Sequence, residues 1–187
     1  MVFFDIESTI DAFKQTLEVA AVSEPSGNVF QTMVAVDSYQ HAGYRLGTRI
    51  HGITPDMIRK APSFPVAIDW FITFLEAEAR NGGLTLVAHN GRVFDMRVLT
   101  KQCGRHGINL HERLQRAGVT HFLDTHPLFQ KLKQKGVVPT GRLIDLYVHY
   151  TGRQLDGAHR ALADARALRK VCEHVEKNVL EDYTEKL

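Results

Sequence analysis

The sequence predicts an α/β domain built on a mixed sheet flanked by helices. Three short apolar, β-branched runs come first, and helical and strand patterns alternate after them. The 187 residues suit one domain spanning 1–187, and that length buries a substantial core. Apolar residues make up 44% of the chain and charged residues 24%, the balance of a water-exposed globular protein.

Residues 2–6 form a β-type run that starts at once, so no upstream domain is expected in this chain. Residues 17–22 and 29–36 are further strand patterns. Glu24-Pro25-Ser26-Gly27-Asn28 between them is a turn signal, which predicts an antiparallel hairpin. Residues 53–60 and 65–80 have helical patterns, the second with Ile68, Phe71, Ile72 and Leu75 on one face. Asn81-Gly82-Gly83 stops that helix. A buried strand follows at 84–88, a helix at 95–106 and a strand at 119–123. Helices are expected at 127–135, 140–151 and 161–187. The sheet therefore counts five strands. There is no internal repeat, low-complexity tract or interdomain linker.

The totals exclude several classes. No apolar run approaches the ~20 residues of a membrane span, and the first residues lack a signal peptide's basic start and long apolar stretch. Neither Cys103 nor Cys172 has metal-ligand spacing, and both read as reduced thiols of an intracellular, cytoplasmic or nuclear, protein. A formal charge of +2 gives no general pull on nucleic acid, so any such affinity must come from local patches.

The informative residues are acids in three places. Asp5 and Glu7 lie two apart at the end of the first strand, so both side chains emerge on one face. Ser8-Thr9 follows, with hydroxyls able to bind phosphate or order a metal ligand. A polar strand end would look the same. Asp95 follows a buried strand, polar His89-Asn90 and Gly91, Arg92, Val93 and Phe94, at a helix start. Strand ends that run into helices are common site positions in α/β sheets. A first-turn Asp also suits the helix dipole, and His89 and Asn90 also suit a turn. Asp164 lies on the apolar stripe of the last helix, with Ala161, Ala165, Leu168, Cys172 and Val175. An inward carboxylate is costly unless it is paired or binds a cation. His159, five residues earlier, belongs at the helix start, where it can reach over a site.

Together these four acids suggest oxygen ligands for hard cations such as Mg²⁺ or Mn²⁺. Two ions about 3.5–4 Å apart can hold the attacking and leaving oxygens of a phosphodiester displacement. A neutral His nearby can take the proton from the attacking water.

The ordered set resembles the DEDDh 3′→5′ exonuclease superfamily over nearly the whole chain. Phe4-Asp5-Ile6-Glu7-Ser8-Thr9 resembles its first motif, and Glu18-Val19-Ala20-Ala21-Val22 its second-strand sequence. His51-Gly52-Ile53-Thr54 resembles the segment beside the terminal nucleotide. His89-Asn90 with Phe94-Asp95 resembles the second motif, and His159 with Asp164 the third. The three residues between Asn90 and Phe94, and Gly157-Ala158-His159, are similar to the three-prime repair (TREX) exonucleases and to the exonuclease-like region of some PML proteins.

The resemblance implies an RNase H-like fold and a single exonuclease domain. It implies Asp5, Glu7, Asp95 and Asp164 as metal ligands for two ions, and His159 as general base. Ser8, Thr9, Ile53, His89, Asn90 and Arg92 are expected at the substrate. The expected partner is a nucleic-acid 3′ end, DNA favoured, and no membrane; a homodimer is compatible. Arg92 and Arg97 flank Asp95 and can meet phosphate. Lys131, Lys133 and Lys135, with Arg142, form a basic cluster or a solvated helix face. Phe94 fits the base pocket or the core. Ser8 stands where Thr is usual, and Ile10-Asp11 where Gly-Leu is common, so an apolar wedge against the last base is not expected there. Two other readings share the motifs: an RNA-trimming enzyme, and a catalytically weak nucleic-acid-binding or scaffold module.

Overall fold

Period-two alternation along the first strand sets the two faces of the sheet. In this computed structural model, which describes residues 1–10, 14–36, 42–79 and 82–187, β1 covers Val2–Ser8. Val2, Phe4 and Ile6 enter one core cluster, and Phe3 enters another on the opposite face. Asp5 and Glu7 share the parity of Phe3 and so belong to its face.

β2 (Thr16–Ser23) pairs antiparallel with β1 and places Glu18 directly opposite Glu7. β3 (Val29–Met33) completes the hairpin. β4 (Leu84–Ala88) joins β1 in parallel, and β5 (Val119–Asp124) joins β4 in parallel. The sheet is mixed, as expected, but it has six strands in the order β3-β2-β1-β4-β5-β6. The sixth, β6 (Thr184–Lys186), adds antiparallel to β5.

Before β4 come α1 (Ala42–His51), α2 (Pro55–Ile58) and α3 (Phe64–Glu78). Between β4 and β5 lie α4 (Asp95–Arg105) and α5 (Leu110–Arg116). After β5 come α6 (Thr125–Gln134), α7 (Leu143–Thr151), α8 (Ala161–Cys172) and α9 (Lys177–Glu181). α3 buries Phe64, Ala67, Ile68, Phe71, Ile72 and Leu75 on the Phe4 face of the sheet. α8 buries Ala165, Leu168 and Cys172 on the Phe3 face. Both faces are covered, which is why every residue of β2 is buried.

Beyond the strand count, one further expectation is corrected, and two helices were not foreseen. The last helix does not run over 161–187: it stops at Cys172, and the chain turns back so that Leu180 enters the core and 184–186 pair with β5. α1 was not anticipated; Gly43 and Gly47 interrupt its pattern. α5 was not anticipated either, although Asn109 accepts the Glu112 amide at 3.2 Å, a capping signal present in the sequence. The predicted end of the helix over 65–80, and Asn81, lie partly outside the described residues, as does Asp11.

Candidate active site

β1 runs further than β4, and its overhang builds the site. The last parallel pairing is Phe3 with Val87. Beyond it the Ile6 amide has lost its neighbouring strand and donates instead to Asp95 Oδ1, at 3.0 Å. Asp95, the first residue of α4 and 1% exposed, is thereby drawn to the end of β1. On the other side, Asp164 in the first turn of α8 faces β1 because the small side chains of Ala161 and Ala165 let the helix approach the sheet.

Asp5, Glu7 and Asp164 each present a carboxylate oxygen, and the three oxygens lie within 4.8 Å of one another. Asp95 stands beside this trio and adds its charge to the field on Asp5 and Glu7. All four carboxyls are harder to ionise than usual. Burial holds Asp5 well above the ordinary carboxylate range, reinforced by Asp95, Asp164, Glu7 and Glu18. Burial, then Asp164, Glu18 and Asp95, push Glu7 up to about 9, with Arg160 pulling back. Asp95 is raised to about 7 by burial, against the Ile6 hydrogen bond. Asp164 is raised to about 6 by burial, against the nearby His159. Asp164 Oδ2 accepts the His159 amide at 3.2 Å, whereas Oδ1 is buried without a hydrogen-bond partner. An orphaned buried oxygen inside a carboxylate trio is the donor set a divalent oxophilic cation fits.

A cleft of about 260 Å³ opens over this cluster. Asp5, Glu7, Ser8, His159 and Asp164 line it with Ile10, Lys14, Ile50, His51 and Phe94. His159 is exposed and takes a left-handed backbone (φ 63°), which turns the chain sharply just before α8. Phe94 is half-buried, packs on the core and also faces the cleft, and the Lys14 ammonium lies 5.9 Å from its ring centre.

The remaining expected substrate residues are placed differently. Ser8 lines the cleft, its hydroxyl donating to the Thr9 carbonyl. Thr9 is spent on its own loop: its hydroxyl accepts the Gln15 amide at 2.9 Å. Ile53 is wholly buried with Leu17, Val36 and Ile58, and the exposed apolar wall of the cleft is Ile10 and Ile50. Ile10, where no apolar wedge was expected, presents an exposed apolar side chain to the cleft. Both His89 ring nitrogens are engaged inside the fold, with the Thr125 hydroxyl and the Gly141 carbonyl, each at 2.9 Å. Burial, with His126 alongside, lowers its pKa to about 4 and keeps it neutral. Asn90 (φ 63°) and Arg92 give their amides to Asp124, which ties down the turn between β4 and α4. The Arg92 guanidinium pairs with Glu185 of β6. None of Thr9, Ile53, His89, Asn90 or Arg92 lines the cleft.

Two residues of consequence were quoted from the sequence without a role. His51 is 4% exposed and accepts the Ile53 amide at Nδ1, which leaves its proton on Nε2. Glu18 is completely buried and bonded to Arg160. A Glu within an otherwise apolar strand was the available signal, since an ionised group there demands a partner.

The sequence matches the exonuclease (RNase T) family over residues 2–172. A curated relative, "Exonuclease DPD1, chloroplastic/mitochondrial" of Arabidopsis thaliana, is 32% identical over 170 residues, or 84% of this chain and 49% of that protein. The chain thus spans about half the length of this relative, whose named location is not among those expected from the sequence. A full-length 3′-exonuclease superposes with a TM-score of 0.73 at 14% identity, over 96% of this chain and 61% of that one. A 3′-exonuclease recognising the histone mRNA stem-loop gives 0.74 at 14%, over 100% and 69%. Exonuclease I of E. coli, bound to a dT13 oligonucleotide, gives 0.71 at 19%, over 97% and 42%. These likenesses are of fold, and they meet the expectation of an RNase H-like sheet flanked by helices. No helix among the described residues is long and apolar enough to cross a membrane.

Proposed function

Because the chain belongs to the exonuclease (RNase T) family, we propose that it is a divalent-metal-dependent 3′→5′ exonuclease that releases 5′-mononucleotides, with DNA preferred over RNA. The observation carrying this is the trio of Asp5, Glu7 and Asp164 oxygens, with Asp164 Oδ1 buried without a hydrogen-bond partner, at the floor of a cleft with one exposed histidine.

Asp5, Glu7 and Asp164 would hold the first cation, with Asp5 and the neighbouring Asp95 towards a second. Mg²⁺ or Mn²⁺ bound there would supply charge neutralisation for the attacking and leaving oxygens of the scissile phosphate. The protein's own residues do the rest. Ile10, Ile50 and Phe94 offer an apolar wall on which a frayed terminal nucleotide rests without reading of its sequence. His159, exposed and close to Asp164, is the general base for the attacking water. Its exposure lets it approach the water when the strand is bound. The shallow cleft accepts one strand end, which favours hydrolysis from a free terminus.

Digestion of matched single-stranded DNA, duplex DNA and RNA, with Mg²⁺ or Mn²⁺ and after chelation, tests this function. Metal-dependent release of 5′-mononucleotides, fastest from single-stranded DNA, is expected. Preferential RNA trimming would replace the DNA preference, and binding without hydrolysis in either metal would leave a nucleic-acid-binding module instead.

A further inference from the structure

Glu18 is a buried charge with four hydrogen-bond donors around it. Its side chain is 0% exposed. Oε1 accepts the Arg160 terminal amino group at 2.9 Å and the Gln31 amide side chain at 2.6 Å. Oε2 accepts Arg160 Nε at 3.0 Å and the backbone amide of Ala161 at 3.1 Å. One buried carboxylate therefore receives both arms of a guanidinium fork and one of the unpaired amides at the start of α8. Four donors offset its burial and hold its pKa below the ordinary value.

The position of this junction matters more than its strength. Glu18 stands across the strand pair from Glu7. Arg160 lies between His159 and Ala161, and it is the residue that caps α8. The His159 amide is bound on its other side by Asp164 Oδ2, at 3.2 Å. The peptide from His159 to Ala161 is thus held by two carboxylates, one from β2 and one from α8. His159 needs a left-handed backbone, a conformation that a non-glycine residue keeps only when its surroundings impose it. The three hydrogen bonds that Arg160 and Ala161 give Glu18, with the one that the His159 amide gives Asp164, are the surroundings that do so.

We infer that Glu18 and Arg160 are a positioning pair: together they fix the start of α8, and through it the places of His159 and Asp164 at the reacting centre. This deepens the proposed exonuclease function and rests on it. Neither residue lines the cleft. Their joint contribution is geometric, and displacing catalytic groups by about 1 Å costs roughly 10²-fold in rate.

The test uses Glu18→Gln and Arg160→Ala in the full chain, with two kinds of readout. In the first, kcat on a short single strand should fall roughly 10²-fold in both variants, with KM changed by less than about threefold. Arg160 is 31% exposed, so added guanidinium can reach the space left by Arg160→Ala and should restore part of kcat there but not in Asp5→Asn. In the second, made without metal, amide exchange across 159–164 should quicken about tenfold or more in both variants, because a charge-assisted buried cap is lost. Exchange in the β1–β4 ladder should keep its wild-type rate. Rates within about twofold of wild type in a folded variant would overturn the assignment. So would loss of kcat that tracks global unfolding, with no guanidinium rescue. A wild-type protein that hydrolyses nothing would instead remove the exonuclease function, and the exchange pattern would still decide whether the pair fixes α8.

Discussion

Asp164 faces two ways at once: its Oδ2 orders the His159 backbone, while its Oδ1 has no protein partner. A side chain so placed leaves one oxygen available to a cation while the other orders the loop before α8. Asp5→Asn keeps the shape and removes one negative charge, so the fold should survive. Activity should drop roughly 10²–10⁴-fold, the scale of several kcal/mol of lost charge stabilisation. Steady-state rates and a thermal melt on the same sample check both halves. His159→Ala should lower the chemical step by a similar factor, roughly 10²–10⁴-fold. Mn²⁺ affinity should stay near wild type, since all four carboxylates remain; loss of affinity measured by titration would make His159 a ligand.

At this scale the gathering of Asp5, Glu7 and Asp164 was legible because clustered, inward-facing charge is improbable without a partner or a cation. Ile53 lies in the core and not in the cleft lining, because the four-residue motif does not say which isoleucine faces outward. That depends on α1, whose final turn leaves Ile50 51% exposed while Ile53 descends into the core. Gly47 sits on that helix where a Cβ would come within 2.9 Å of His51 Nε2, so its lack of a side chain has a packing reason the sequence does not display.

Among the elements, β1 and α8 are pressed together with like charges at their interface. Glu7 has its pKa raised from 4.5 to about 9, and Asp5, Asp95 and Asp164 are raised in the same direction. The metal-free folded protein therefore keeps protons that the unfolded chain releases. The stability of these groups is fully present below the ordinary carboxylate value and is lost as pH climbs through about 9. Glu18, lowered instead, contributes in the opposite sense: its contribution is present above the ordinary carboxylate value and is lost as pH falls through its lowered one. We predict that the melting temperature of chelated protein falls from weakly acidic to alkaline pH. Added Mg²⁺ should raise it by an increment that grows with pH. An increment that shrinks with pH would contradict the carboxylate cluster as the binding site. β1, β2, β4 and β5 were readable because period-two or continuous apolar runs carry their own signal. The break after α8 and the strand β6 were not, because residues 184–186 are mostly exposed and only tertiary pairing with β5 defines that strand.

For the whole molecule, the segment after α8 is part of the fold. Leu180 is 6% exposed, β6 extends the sheet, and Glu185 holds Arg92 near the second motif. Removing residues 177–187 should cost at least about 2 kcal/mol from the loss of Leu180 burial and β6 pairing. Denaturant melts would show it, and an unchanged midpoint would mean that this strand contributes nothing. The overall architecture was foreseen from alternation of elements. Its sixth strand was not, since three polar residues paired to a sheet edge leave no periodic trace. Action on a strand end belongs to the whole molecule, and one measurement tests it most directly. A 5′-labelled single strand is incubated with protein and Mg²⁺, once with a free 3′ hydroxyl and once with that end blocked. The free strand should shorten one nucleotide at a time and yield 5′-mononucleotides, the blocked strand should persist, and chelation should stop the reaction. Equal digestion of both strands, or digestion that continues in chelator, would contradict a metal-dependent exonuclease working from the 3′ end.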